Sequence, residues 1–175
     1  MLVTLQWVLK EAEKRKIAVG SFNTPNLESL QAVIWAAEDM DLPVIIQFAQ
    51  CHEAWIPLSV IGPVMVEAAK KAKVPVCVHL DHGETLEYLQ QAIDIGFTGI
   101  MYDGSTLSYE ENLSNTKRAV EMAAMKGIGV DVKWTDFESG PPMNESFAAG
   151  QQDIGVIGDV PSVAAVAAGQ KNVFI

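Results

Sequence analysis

The sequence predicts an α/β protein built on a parallel sheet. Two observations carry that prediction. Its strand-like runs are apolar throughout instead of alternating, which a sheet covered on both faces demands, and amphipathic helical segments separate them at intervals of roughly 30 residues, the length of a βαβ step. Such helices supply right-handed crossovers between parallel strands. Periodicity does not separate an open doubly wound sheet from a closed barrel, but no G-x-G-x-x-G follows the first strand to argue for a dinucleotide fold.

Each element has its own signal. Leu5 to Lys16 is amphipathic and reads as a helix, and IAVGSF (17 to 22) reads as a strand with β-branched Ile17 and Val19. Thr24-Pro25-Asn26 supplies helix-start chemistry. Leu27, Leu30, Val33, Ile34, Ala37 and Met40 then recur at helical spacing up to Leu42-Pro43. PVIIQFA (43 to 49) is strand-like, LSVIGPVMVEAAKKA (58 to 72) helical and VPVCVHLD (74 to 81) strand-like; ETLEYLQQAIDIG (84 to 96) carries Leu86, Leu89 and Ile93 on one helical face. FTGIMYDG (97 to 104) is the next strand. Ser108 and Glu111 form a capping box for a helix running to about Lys126, ahead of GIGVDV (127 to 132).

Composition narrows the function. The 175 residues are 49% hydrophobic and 19% charged, enough to bury one core, so a single domain over 1–175 is expected. The net charge is −10, and no basic run tracks a phosphate backbone, so nucleic acid is excluded as a partner. Lys14-Arg15-Lys16, beside Glu11 and Glu13, reads as a solvated helix end. Cys51 and Cys77 show no C-x-x-C spacing and no signal peptide precedes them, which predicts a reduced cytoplasmic protein. The apolar runs are far shorter than the roughly 20 residues of a membrane span.

In parallel α/β folds chemistry collects where strands end. Those positions are Asn23, Gln47 to Gln50, Asp81-His82, Asp103-Gly104-Ser105 and Asp131. Neighbouring side chains point apart, so Asp81-His82 can divide labour between an imidazole that ligates a metal and a carboxylate that moves a proton. It can equally be a polar turn whose groups only hydrogen-bond the following helix. Asp103-Gly104-Ser105 by itself reads as a turn and Asn23 as a helix cap. His79, inside an apolar run, reads as a hydrogen-bonded core histidine, and Cys51-His52 as a loop pair without partner spacing.

Taken together, AVGSFN (18 to 23), LESLQAVIWAAEDMDLPVIIQ (27 to 47), VPVCVHLDHG (74 to 83), AIDIGFTGIMYDGS (92 to 105) and YEENLSNTKRAVEMA (109 to 123) resemble the N-terminal part of the class II, zinc-dependent ketose-bisphosphate aldolases. The resemblance covers roughly residues 1 to 130 and leaves 131–175 unaligned. It implies a (β/α)8 TIM-barrel type fold, and this chain has room for only about five to seven of the eight units.

The activity implied is reversible cleavage of fructose or tagatose bisphosphate, a phosphorylated sugar substrate, into dihydroxyacetone phosphate and glyceraldehyde 3-phosphate. By resemblance Asp81 exchanges a proton with the hydroxyl at the cleaved bond, His82 ligates Zn2+, Asp103 and Ser105 lie near the metal, and Asn23 lies close to the substrate. A cytoplasmic homo-oligomer, dimer or tetramer, is implied as well.

The resemblance departs after Gly129. Where the family places an E-x-E pattern this chain reads Val130-Asp131-Val132-Lys133, and a lysine would repel a metal cation. Its three histidines, His52, His79 and His82, all lie in the first half, so later zinc ligands of the family have no counterpart. Ala49 stands where many members have a serine near a phosphate. Residues 138 to 152 are loop-like, and DIGVIGD, PSVAAVAAG and NVFI suggest one more βα unit that stops at Ile175. The expectation is an aldolase whose remaining half is missing from this chain and whose activity is impaired in this chain alone, with a non-catalytic, self-associating half-barrel or another metal-assisted barrel enzyme as the alternatives.

Overall fold

The computed structural model describes residues 1–128, which fall within one compact unit. The strand expected at 127–132, Asp131, Lys133 and the tail to Ile175 lie outside the described residues, as does the single-domain expectation for 1–175. The elements run α1 (Leu5–Arg15), β1 (Gly20–Asn23), α2 (Leu27–Met40), β2 (Val44–Ala49), a 3₁₀ turn (Gln50–Ala54), α3 (Leu58–Lys71), β3 (Val76–Gly83), α4 (Leu86–Ile95), β4 (Gly99–Tyr102) and α5 (Tyr109–Met125).

All neighbouring strands pair in parallel, in the spatial order β1-β2-β3-β4. A doubly wound sheet reverses its strand order at a switch point, with its first strand inside the sheet. Strictly sequential order with a helix after every strand is instead the arrangement of successive units of a (β/α)8 barrel. Four such units lie in the described residues, which resolves the choice that periodicity left open.

The unbroken apolar runs of β2 and β3 follow from burial on both faces, whereas β1, expected to be covered as well, is exposed along its length. On one face Ile46, Phe48, Val76, Val78 and Leu80 pack with Leu30, Leu58, Ile61, Met65 and Leu89 from the helices. On the other, Ile45 and Cys77 pack with Val8 of α1. Every such side chain removed from water contributes about 1.5–3 kcal/mol.

Helix ends show what the sequence encodes locally. Thr4, Asn26, Thr85 and Ser108 each accept the backbone N–H three residues on, and Ser108 with Glu111 completes the capping box. At the other end Lys16, Asp41 and Gly96 adopt left-handed backbone (φ 56°, 52° and 108°), and the next residue's N–H reaches back to the carbonyls of Ala12, Ala37 and Ala92. Ile17 is used up in that closure of α1, so the first strand starts at Gly20 instead of the expected Ile17. On α2 the core face is Leu30, Ile34 and Ala37, whereas Leu27 and Met40, expected on it, are exposed because they lie at the helix ends.

Candidate active site

The carboxyl ends of β1, β3 and β4 bring together the five residues to which the resemblance gave roles, Asn23, Asp81, His82, Asp103 and Ser105. Asn23 ends β1, and its Nδ2 donates to Asp81 Oδ2 at 2.9 Å. His82 Nδ1 lies 2.6 Å from Asp103 Oδ2, and the Ser105 backbone N–H donates to Asp103 Oδ1 at 3.0 Å. His82 Nε2 stands 3.8 Å from Asp81 Oδ1, bridging the two hydrogen-bonded groups.

A break in the ladder aims these groups. The β3–β4 register shifts between Leu80 and Gly83, and within that bulge His82 has φ 48°. Bulges re-aim side chains, and non-glycine residues held in left-handed backbone concentrate at functional sites. Gly83 follows because a Cβ there would come within 2.4 Å of Leu89 Cδ1 and 2.8 Å of Leu80 Cδ2, both in the packed core. Its carbonyl accepts from the Asp103 N–H at 2.8 Å, which fastens β4's end to the bulge.

The electrostatics follow from these bonds. Hydrogen bonds from Ser105 and then His82 hold the Asp103 carboxyl down at about 2. The hydrogen bond to Asp103 raises the His82 imidazole above its usual value, with Asp81 and Glu84 adding to it. Because the ionised Asp103 accepts from Nδ1–H, the lone pair of neutral His82 sits on Nε2, the carboxylate–histidine pairing that orients metal ligands. His82 is exposed, while Asp81 and Asp103 are largely covered.

His79 behaves as the core histidine expected. It is buried, with Gln47 Nε2 3.4 Å from its Nδ1, and burial pushes its pKa down to about 4. Cys51-His52 falls in the 3₁₀ turn, where the His52 ring packs against Phe48 and Trp55 and makes no bond to the site. Among the described residues no group of three or more His, Cys, Asp or Glu could hold a metal ion. They fit one ligand position, His82 Nε2, and not a complete shell.

Residues 3–139 match the family model described as fructose-bisphosphate aldolase class-II. The chain belongs to the class II fructose-bisphosphate aldolase family. A fructose-bisphosphate aldolase of Thermus caldophilus is 40% identical over 133 residues, which are 76% of this chain and 43% of that protein. A 6-phospho-5-dehydro-2-deoxy-D-gluconate aldolase of Halalkalibacterium halodurans is 36% identical over 137 residues, covering 75% of this chain and 47% of the other. Among solved aldolase structures, that of the YdjI aldolase from Escherichia coli K12 superposes with a TM-score of 0.69 at 35% identity, over 73% of this chain and 48% of that one. The chain thus spans less than half the length of these relatives.

Sequence reasoning missed the contacts of two residues of the 3₁₀ turn, Gln50, which reaches the chain just beyond the site, and Glu53, which anchors the turn. Gln50 Oε1 accepts from the Glu84 N–H at 2.8 Å, and Glu53 Oε2 accepts from the Leu58 N–H at 2.8 Å and from the Tyr88 hydroxyl at 2.6 Å. One signal existed for the second. Pro57 precedes α3 and has no side chain able to cap it, so the first turn needed an acceptor from elsewhere. For Gln50 no pattern in the sequence points to its partner.

Proposed function

We propose that this chain carries the proton-transfer and metal-facing strand ends of a class II ketose-bisphosphate aldolase, which reversibly cleaves fructose or tagatose bisphosphate into dihydroxyacetone phosphate and glyceraldehyde 3-phosphate. The observation that carries this reading is the hydrogen-bonded cluster that Asn23, Asp81, His82, Asp103 and Ser105 form at the carboxyl ends of β1, β3 and β4, across the end of β2. Asn23 occupies Asp81 Oδ2, leaving Oδ1 to exchange a proton with the hydroxyl at the bond being cleaved.

His82 Nε2 would hold the zinc ion expected for the family, and such an ion supplies Lewis-acid stabilisation of the charge that carbon–carbon cleavage leaves on the three-carbon fragment. Asp103 fixes the tautomer and orientation of His82, and Ser105 fixes Asp103. A catalytic zinc takes three protein ligands, so the others would come from residues outside those described or from a second chain. The same reading makes the protein a cytoplasmic homo-oligomer of carbohydrate metabolism. Because relatives of similar identity carry names for different substrates, the sugar is left to assay.

The test is zinc analysis of the purified protein beside cleavage assays on fructose and tagatose bisphosphates with zinc supplied. Stoichiometric zinc with cleavage would support the reading and require the other ligands to come from residues outside those described or from a second chain; neither zinc nor cleavage would overturn it for this chain. Asp81→Ala is expected to lower cleavage by about 100-fold or more while leaving bound zinc. His82→Ala is expected to lose both, and unchanged zinc affinity in that variant would remove the ligand assignment.

A further inference from the structure

His82 is held in a backbone conformation that a non-glycine residue does not adopt without restraint. Left-handed backbone costs a residue with a Cβ about 1–2 kcal/mol, and it persists only where the surroundings over-determine it. The restraints are identifiable. On the N-terminal side Leu80 keeps its ladder position opposite Ile100. On the C-terminal side the Gly83 carbonyl accepts from Asp103, and the Glu84 N–H donates to Gln50 Oε1. The ring itself is tied to Asp103.

All but one of these restraints come from β4 and the turn that follows it. The remaining one comes from the opposite side, where the half-buried Gln50 opens the 3₁₀ turn directly after β2. Its anchor is firm, because Glu53 of the same turn bonds both the first turn of α3 and Tyr88 of α4. The β2 ladder holds this edge of β3 only as far as Ala49 opposite Asp81, so without Gln50 the peptide after Gly83 would be free to pivot about the Gly83–Asp103 bond. Held from β2 as well, the peptide after Gly83 has a single position, and that position sets the direction of the His82 ring.

We propose that Gln50 is a positioning residue for the site: through the Glu84 N–H it locks the Asp81–Gly83 bulge and so fixes His82 against Asp103. Its value for aldol cleavage rests on the function proposed above, but the mechanical claim does not, so the experiment reads backbone geometry and leaves activity aside. Backbone NMR of the full chain compares wild type, Gln50→Leu, which keeps the bulk and loses the acceptor, and Gln50→Glu, which keeps an accepting oxygen.

In Gln50→Leu the Glu84 amide is expected to exchange with solvent about 10-fold faster or more, and the residual dipolar couplings of His82 to leave their native values. Amides of Val78 and Leu80 should keep their protection. Gln50→Glu should restore both the Glu84 protection and the His82 couplings. Native His82 couplings in Gln50→Leu would overturn the proposal. If that variant loosens β3 as a whole, Gln50→Glu decides: native couplings there support the lock, and disturbed couplings despite the retained oxygen overturn it.

Discussion

β3 carries two histidines three residues apart and places them in opposite environments. His79 lies within the regular ladder, buried, and burial drives its pKa down to about 4. His82 lies in the bulge beyond it, exposed, bonded to Asp103 and with its pKa raised. The same side chain is a neutral packing element at one position and an oriented, readily charged group at the other. What changes between them is the ladder: where pairing is regular the strand makes core, and where the register slips it presents chemistry.

The comparison is tested most severely by damaging one half of β3 and watching the other. Leu80 is fully buried, and Leu80→Ala is expected to cost about 2–5 kcal/mol in urea denaturation, through lost burial and the cavity left behind. If core and tip are separable, the His82–Asp103 bond survives in the folded fraction, seen in His82 ring nitrogen shifts unchanged from wild type.

His79 gives the next effect, and its sign is fixed by the direction of its shift. Unfolded, its pKa is near 6.5, so between about 6.5 and 4 the unfolded chain takes up a proton that the folded chain refuses. Stability should therefore fall as pH drops through that window, approaching about 3 kcal/mol below pH 4. Denaturation of wild type and His79→Gln from pH 7 to 4 measures it; an equally steep decline in the variant would assign the slope to other groups.

How much of this was legible follows from what each feature depends on. Helix starts were readable because Asn26 and Ser108 act on their own next turn, and the double-sided burial of β2 and β3 was readable because it leaves unbroken apolar runs. The site positions were readable as strand ends. Their joining was not, since the Asn23–Asp81 bond spans 58 residues and exists only because β1 and β3 flank β2 in register. Gln50 was harder still: its acceptor meets a backbone N–H, and a backbone group leaves no mark in a sequence.

Asp103→Asn sharpens the contrast without touching the core. The hydrogen bond that His82 donates to Asp103 is the largest cause of the raised His82 pKa, so removing that charge should bring the imidazole down towards the ordinary histidine range in the metal-free protein. His79, whose shift comes from burial and carries no contribution from Asp103, should titrate unchanged. Proton NMR of the ring resonances follows both histidines in one experiment, and a shift of both would dissolve the distinction.

The smallest effect separates backbone strain kept for a site from strain kept for nothing but a helix end. Asp41 and His82 share nearly the same left-handed backbone, φ 52° and 48°, but Asp41 only closes α2 and its side chain is exposed. Glycine relieves such strain, so Asp41→Gly is expected to stabilise by about 0.5–1 kcal/mol, net of the greater freedom it gives the unfolded chain. His82→Gly gains the same relief but gives up the charge-assisted bond to Asp103, worth about 1.5–3 kcal/mol at most and less at this exposed position. Its net stability change should lie near zero. A clear stabilisation at position 82 matching that at 41 would mean that the Asp103 bond contributes nothing to folding, and that the strain at His82 is held in place by the chain around it while the bond serves only to orient the ring.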